Sequence, residues 1–528
     1  MNSNVIITDN YLWTNEHNNV SKQVLHRYQV SNNPDTAWRD GLAGIQAMIG
    51  DAKSRSERLR SYGGKWSLSD VAICNDSIHD SKPLTFYGTV GADSIIGEPL
   101  YRDDPKPLAQ RLYYFQSGSQ INQINNVLEA AGLSLATTGA SNGQTIAGAV
   151  STGTHGSAMS IGAMQDYVRV LHIVTSDTGH VMIQPQSNPV ISSKFSDLFG
   201  AQLISDDRLF NSALVSFGSF GVIHGIIVET VSLFMLESYC LRVDYANAEN
   251  LYPLLTNFDH ASRNNLGQFL TQNNLPSDAD PYHLSLIVNP YSQNQNAFLT
   301  VMYKKDYDAA KLSSEPGASD TRVGDDVISF ISSVSSAAED LAPAFVNLLF
   351  GKAATVRRTP YIQTPRNTFG DTTMYKSQGG ASSSELGVGI SNAAQAVRII
   401  MRTAQQYNFM GLIGIRFVRN SAATLAFTRF SPLTCTIELP GLHSENYYKQ
   451  VFQAMDDANI QFTLHWGQEG DYSPKRLAAM YGNAVKSWVE DRNRLLPDPI
   501  MRYMFSNDFM KWCGLTEAPA LTGGDVIV

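Results

Sequence analysis

Cysteine is scarce. There are four in 528 residues, Cys74, Cys240, Cys435 and Cys513, and no two stand at a CxxC spacing. That spacing excludes a zinc ribbon or a dithiol motif, and no metal site is expected. Reduced thiols packed as small hydrophobes are expected instead, which fits a reducing compartment. Positive charge is also short: 39 Lys and Arg stand against 48 Asp and Glu, a net charge of -9. A general nucleic-acid binder shows a basic face, so no nucleic-acid partner is expected. No run approaches the ~20 apolar residues that span a bilayer. The start, MNSNVIITDNYLWTNEHNN, has no basic stretch leading into an apolar core. A soluble, cytoplasmic protein without a transmembrane segment is the expectation, and the sequence leaves oligomerisation open. There is no internal repeat and no low-complexity tract.

Side-chain bulk is missing from one place in particular. Leu135 to Ala158 reads LATTGASNGQTIAGAVSTGTHGSA. A run of Gly, Ala, Ser and Thr lets backbone approach something large and flat, with amides and hydroxyls left free to hold its polar parts.

The length suggests two or three domain-sized units. Trp38, Leu42, Ile45 and Ile49 recur at helical spacing after Pro34 and Asp35, and Arg60 to Ser69 reads as a turn. Ile121, Ile124, Leu128 and Ala131 mark a second helix stopped by Gly132. Both helices look like one-sided covers on a sheet. Tyr167 to Thr175 and His180 to Ile183 read as strands joined through Asp177-Thr178-Gly179, and Val222 to Leu236 as further β structure. Beyond that, strands are expected over Leu284 to Val288, Phe298 to Tyr303, Ile413 to Val418, Thr434 to Leu439 and Ile460 to Leu464. Helices are expected over Ala393 to Gln406 and Tyr447 to Ala458. Ser313 to Asp326 reads as a surface loop, Val327 to Phe350 as a helix interrupted near Pro343, and Arg357 to Ser384 as irregular. The fold class is α+β, with units over 1–236 and 237–500 and a C-terminal segment, 501–528, packing back on the first.

The small-residue block GQTIAGAVSTGTHGSA, Gly143 to Ala158, resembles the flavin-binding core of the vanillyl-alcohol-oxidase/PCMH flavoproteins, on the aldonolactone and alditol oxidase branch. Four further blocks follow in family order. Trp13-Thr14-Asn15 with Asn19-Val20 resembles the family's N-terminal segment. Arg60-Ser61-Tyr62-Gly63-Gly64-Lys65-Trp66-Ser67 resembles its pyrophosphate loop. Phe210 to Ile223 resembles a strand-turn element over the adenine end, and Leu464-His465-Trp466-Gly467 the His-Trp active-site segment. The resemblance implies a two-subdomain PCMH-type FAD-binding domain. It also implies a substrate domain built on an antiparallel sheet covered by helices.

FAD carries a doubly charged pyrophosphate, which needs several donors at short range. By resemblance they come from Arg60, Ser61, Gly63, Gly64, Lys65, Trp66 and Ser67 on one side. Gly139, Thr145, Gly148, Ser151, Thr152, Gly153, Thr154, His155 and Gly156 serve the other, with Val222 and Ile223 at the adenine. His155 is expected to hydrogen-bond within its loop. Many relatives attach FAD through a His where this chain has Trp66. An indole cannot form that bond, so the FAD is expected to be noncovalent.

The substrate side departs further. Relatives carry Glu-x-Arg on a strand under the flavin; here the segment is Gly414-Ile415-Arg416. Where they read His-Trp-Gly/Ala-Lys, this chain reads His465-Trp466-Gly467-Gln468. Arg416 is expected to stabilise the reduced flavin. His465 is a candidate base, Glu438 a candidate substitute from a neighbouring strand, and Glu385 an acidic candidate of more structural character. The resemblance implies hydride transfer from a CH–OH carbon, with oxygen or another acceptor reoxidising the flavin. The lost charges point to a less polar small-molecule substrate, a hydrophobic alcohol or a lactone. A flavin-binding protein without alcohol-oxidase activity, a scaffold or an agent of redox-assisted cyclisation, is the rival expectation.

Overall fold

The computed structural model describes residues 4–33, 36–139, 142–257, 259–292, 296–314, 342–352, 356–369 and 381–516. Its first half holds two larger sheets and a two-stranded one, Leu133–Ser134 with Val231–Ser232. Strands Val5–Thr14, Ser21–Val30, Ser77–Asp80 and Leu59–Tyr62 lie side by side in that order, the last three running parallel. A six-stranded sheet follows, in the order Gln202–Ser205, His180–Gln184, Val168–Val174, Val222–Glu229, Leu112–Gln116 and Tyr87–Thr89. The helix Trp38–Ser54 joins the two sheets. Its Leu42, Ile45, Met48 and Ile49 share one core with Tyr28 and Val30 of the first sheet and Val174 and Val222 of the second. Ile45, Met48 and Ile49 are fully buried. Each contributes roughly 1.5–3 kcal/mol by leaving water.

The second half is built on one antiparallel sheet of eight strands. Its order is Arg357–Gln363, Phe234–Asp244, Asn296–Asp306, His283–Val288, Ile413–Arg419, Leu433–Leu442, Ala381–Gly389 and Phe462–Leu464. Helices Ala393–Gln406 and Glu445–Asp457 cover one face: Ser382 Oγ meets Tyr448 Oη at 3.0 Å, and Leu386 shares their core. Alternation along the strand turns Ser383, Glu385 and Gly387 to the other face, toward the first half.

Several expectations are corrected here. Leu59–Tyr62 is a strand, so the turn occupies only the stretch after it. Phe210 to Ile223 begins as a helix, Asp207–Leu214, capped by Asp206 accepting from the Leu209 N–H at 2.9 Å. Arg357 to Ser384 contains the strand Arg357–Gln363, the helix Pro365–Phe369 and the start of a third element, the strand Ala381–Gly389. Pro343 lies in the helix Ala342–Lys352, and the residues before Ala342 lie outside the described ones. That helix buries Phe345, Val346, Leu349 and Phe350 against Phe298, Met410 and Leu412. Residues 315–341, most of the expected loop and the front of the expected helix, lie outside the described residues, as does 517–528.

The C-terminal helices pack on the first half from earlier than residue 501. Trp488 Nε1 donates to the Val215 carbonyl at 3.1 Å and Arg492 Nε to that of Ser219 at 2.9 Å. Asn507 Nδ2 donates to the carbonyls of Val71 and Ile73 at 3.1 and 2.9 Å. All four cysteines are free and buried. Among the described residues, no helix is long and apolar enough to cross a membrane.

Candidate functional site: a cleft with a glycine-walled end and a charged end

A cleft runs between the two halves. At one end its wall is the turn after Leu59–Tyr62. Gly63 is required there by close approach: a Cβ would run into the Thr145 side chain, 2.8 Å from its Cβ and Cγ2. Thr145 caps the short helix Ile146–Thr152, accepting from the Gly148 N–H at 3.4 Å. Gly153 ends that helix in the left-handed region at φ 77°, a conformation that Gly adopts without a Cβ penalty. Ser61, Gly63, Gly64, Lys65, Trp66 and Ser67 face the cleft, and so do Thr145, Gly148, Ser151, Thr152, Thr154, His155 and Ile223.

Five expected cofactor residues do not. Arg60 is fully buried on the opposite side of its strand from Ser61, donating to the carbonyls of Phe505 at 2.8 Å, Val71 at 2.9 Å and Phe217. Burial lowers its guanidinium to about 10. Val222 alternates with Ile223 and points into the core shared by the two sheets. Gly139, Gly153 and Gly156 are not among the residues that line the cleft.

The turn is held from both sides. The Glu16 N–H donates to the Lys65 carbonyl at 3.0 Å, and Asn15 Nδ2 to that of Ser67 at 2.9 Å. From the far half, the Leu68 N–H donates to the Gly467 carbonyl at 2.7 Å, and Ser69 Oγ to that of Trp466 at 2.6 Å. Trp466 itself is core, stacked on Tyr472 at 5.2 Å and donating Nε1 to the Leu425 carbonyl at 2.9 Å. Lys65 carries its ammonium 6.0 Å from the ring of Trp13 and 5.9 Å from that of Tyr62; burial lowers its pKa.

The other end is charged. Register places Glu385 directly opposite Glu438, and Glu438 directly opposite Gly414. Cross-strand neighbours share a face, and Arg416 shares it two residues along. Two carboxylates opposite one another repel, and Arg416 resolves this by pairing with Glu438 while standing 4.0 Å from Glu385. A Cβ at Gly414 would lie 3.7 Å from that of Glu438, an ordinary contact, so the pair does not require glycine there. Gln468 Nε2 donates to the remaining Glu438 oxygen at 3.3 Å.

His465 is buried, with Nδ1 accepting the Gly467 N–H at 3.1 Å. Burial, despite the pull of Glu385, lowers it to about 4. Its remaining nitrogen serves the Gly153 carbonyl. A ring so engaged has no lone pair left for a substrate proton, which argues against His465 as the base. His155, Glu385 and His465 bring ligand-type atoms within 4.8 Å of one another. With the His465 nitrogens spent and the Arg416 cation alongside, the cluster is better suited to holding protons than a metal ion.

The cleft fits FAD. Buried polar atoms without a protein partner line it: Trp13 Nε1, Ser117 Oγ and Gln144 Oε1 at the glycine-walled end, and Gln468 Oε1 at the other. Such atoms cost free energy unless a ligand meets them. Ser117 lies outside every block singled out by resemblance, whereas Trp13, Gln144 and Phe217 lie within them. Ser117-Gly118-Ser119, small and polar just past a strand, was the signal available for the first.

Comparison with known proteins agrees. A family model described as an FAD binding domain matches residues 109–183. A putative D-arabinono-1,4-lactone oxidase of Neurospora crassa is 30% identical over 197 residues, 37% of this chain and 29% of that one. The matched stretch thus spans under a third of the length of such relatives. An L-gulono-1,4-lactone dehydrogenase of Mycobacterium tuberculosis is 23% identical over 482 residues, 89% of this chain and 93% of that one. Among solved structures, cholesterol oxidase from B. sterolicum superposes with a TM-score of 0.68 at 13% identity, covering 96% of this chain and 97% of that one. The 6-hydroxy-D-nicotine oxidase of Arthrobacter nicotinovorans does so at 0.55 and 12%, covering 95% and 97%. The chain carries an FAD-binding domain, shares its fold with these oxidases, and has FAD as its cofactor.

Proposed function

We propose that the protein oxidises a CH–OH group of a small molecule, with the charged end of the cleft as its catalytic face. The single observation that carries this reading is the arrangement of Arg416, Glu438 and Glu385 across three adjacent strands, lining the same cleft as the glycine wall. A scaffold has no use for such buried charges, which cost more than apolar residues of equal volume.

Bound FAD supplies the hydride acceptor. The chain supplies the rest. Removal of the hydroxyl proton needs a base that faces the cleft with a free lone pair. His465 has none, and His155 and Arg416 already stand against Glu385. Glu438 remains, its side chain 14% exposed at the cleft, with Arg416 and Gln468 fixing its plane. Glu438 therefore takes the proton. Arg416 orients it and offers positive charge where negative charge develops.

The same face supports a polar substrate. Gly414 and Gln468 by themselves suggested lost polarity, but Glu438 returns a carboxylate to the place beside Gly414, and Gln468 Oε1 awaits a donor. A hydroxylated lactone, the substrate type in the names of the lactone oxidases and dehydrogenase, suits it better than an apolar alcohol like that of cholesterol oxidase. The acceptor is oxygen or another oxidant. With Trp66 facing the cleft where relatives place the attaching His, the FAD is held without a covalent bond.

The test uses purified holoprotein. Acid precipitation should leave FAD in the supernatant, and anaerobic addition of sugar lactones should bleach the visible flavin band more readily than apolar alcohols do. Flavin bound normally but bleached by no CH–OH compound would sink this reading.

A further inference from the structure

We infer that the protein has a second ligand site, separate from the FAD cleft, which takes a small molecule with an anionic head and an apolar body. The site is a cavity of about 1940 Å³ between the two halves. No residue that lines it also lines the cleft. The inference stands whatever the substrate of the cleft is.

Alternation along one strand serves both sites. Arg416 faces the cleft, and Arg419, three residues on at the end of Ile413–Arg419, is turned the other way and faces the cavity. Asp166 stands near enough to feel the Arg419 charge, but its carboxylate is already engaged. Its Oδ1 accepts from Ser421 Oγ at 2.6 Å and its Oδ2 from the Ala163 N–H at 2.7 Å. Burial raises Asp166 to about 6 against those bonds and that charge, so water is scarce around it.

Two lysines face the same cavity. The Lys304 ammonium lies 4.7 Å from the centroid of the Phe234 ring. Lys106 reaches across Gly132, its ammonium 3.5 Å from where a Cβ there would stand. Asp104 is close to both in the wall, but Ser232 takes both of its oxygens, through the N–H at 2.8 Å and Oγ at 2.7 Å.

The charges do not cancel. Arg102, Lys106, Lys304 and Arg419 face the cavity without an ion-pair partner among the described residues. The carboxylates of the wall are mostly engaged. Besides Asp104 and Asp166, Glu129 accepts from Thr364 Oγ1 at 3.2 Å and Asp280 stands 3.6 Å from Arg263. Asp103 and Asp306, both exposed, are left against the four cations. The surplus is positive and attracts an anion. Apolar side chains complete the wall, among them Ile161, Phe234, Leu254, Leu255, Leu266 and Leu433. An apolar wall with a few convergent charges is the general form of a small-molecule site.

The test titrates FAD-loaded protein by calorimetry with decanoate and with decanol, which keeps the apolar body and lacks the charge. Decanoate is expected to bind about 10-fold more tightly than decanol, or better. The double variant Arg419→Gln with Lys304→Gln is expected to erase that difference and leave FAD affinity unchanged, since neither residue lines the cleft. Equal binding of the two compounds to the wild-type protein overturns the inference, and so does failure of decanoate to bind. Either result decides the matter even if the double variant fails to fold. A folded double variant that holds decanoate as tightly as the wild type places the anion elsewhere and overturns it too.

Discussion

The two ends of the cleft are made by opposite means. The glycine-walled end works by removing side chains: Gly63 and Gly64 and the small residues of Ile146–Thr152 let backbone come close. The charged end works by adding them: Arg416, Glu385 and Glu438 converge from three strands, and His155 meets them from across the cleft. The first end needs neighbours in sequence, the second only neighbours in register. Affinity for the cofactor should therefore reside at one end and reactivity at the other.

Arg416→Ala is the strongest test of that division. Removing it takes away charge stabilisation and frees Glu438, and the rate of anaerobic flavin reduction should fall about 100- to 1000-fold. FAD affinity, read by fluorescence titration, should change far less. Gly63→Val is the mirror image. Forced against Thr145, it should weaken FAD binding about 10- to 100-fold, with a smaller loss of reduction rate at saturating FAD. If each substitution moved both quantities equally, the division would be wrong.

Arg60 sharpens the comparison from below, since its strand carries the glycine turn while its guanidinium holds the C-terminal helices. Arg60→Met should lower stability by about 3 kcal/mol and expose those helices to protease, as unsatisfied carbonyls are left behind. Chemical denaturation and limited proteolysis measure both.

The two regions should also fail at opposite pH. In the six-stranded sheet His172 Nδ1 lies 3.1 Å from that of His224, and His172 Nε2 lies 3.0 Å from His180 Nδ1. Burial, then the neighbouring His180, lowers His224 to about 3, and burial lowers His172 well below its ordinary value. The unfolded chain binds these protons more tightly. Stability from this cluster is therefore complete above about 6.5 and is lost as pH falls toward the folded value. His224→Gln should flatten the acid limb of a plot of Tm against pH. Beyond the charged end, Glu469 is raised to about 8 by burial and by Glu445, while Asn19 Nδ2 donates to it at 3.2 Å. Here the folded state binds the proton more tightly, so stability is complete below about 4.5 and is lost as pH rises through 8. Glu469→Gln should raise Tm at pH 9 by about 2 °C and leave it nearly unchanged at pH 5.

The glycine-walled end was legible in the sequence because its chemistry is local: a Gly-Gly turn and a block of small residues announce themselves. The errors there came from reading a motif without its alternation. Arg60, Ser61 and Tyr62 occupy one strand, so Arg60 and Ser61 must face opposite ways, and only Ser61 reaches the cleft. Phe210, Ala213 and Leu214 stand at helical spacing, and that period marks the helix that the resemblance had led us to expect as a strand. The charged end was legible only in part. Glu438 could be named as a neighbour of Gly414, but the pairing that puts them opposite is a property of the sheet. The contact between His155 and Glu385 joins residues with nothing local in common, and no spacing rule reports it.

The bond from Arg60 to the Phe505 carbonyl crosses 445 residues. A ribosome adding about 5–20 residues each second needs on the order of 20–90 s to make the partner that Arg60 waits for. Through that interval the glycine turn stands on a floor that does not yet exist. Loading of the flavin is therefore an event for the finished chain, and a stalled or shortened chain is left with its cradle half built and its apolar underside open to chaperones.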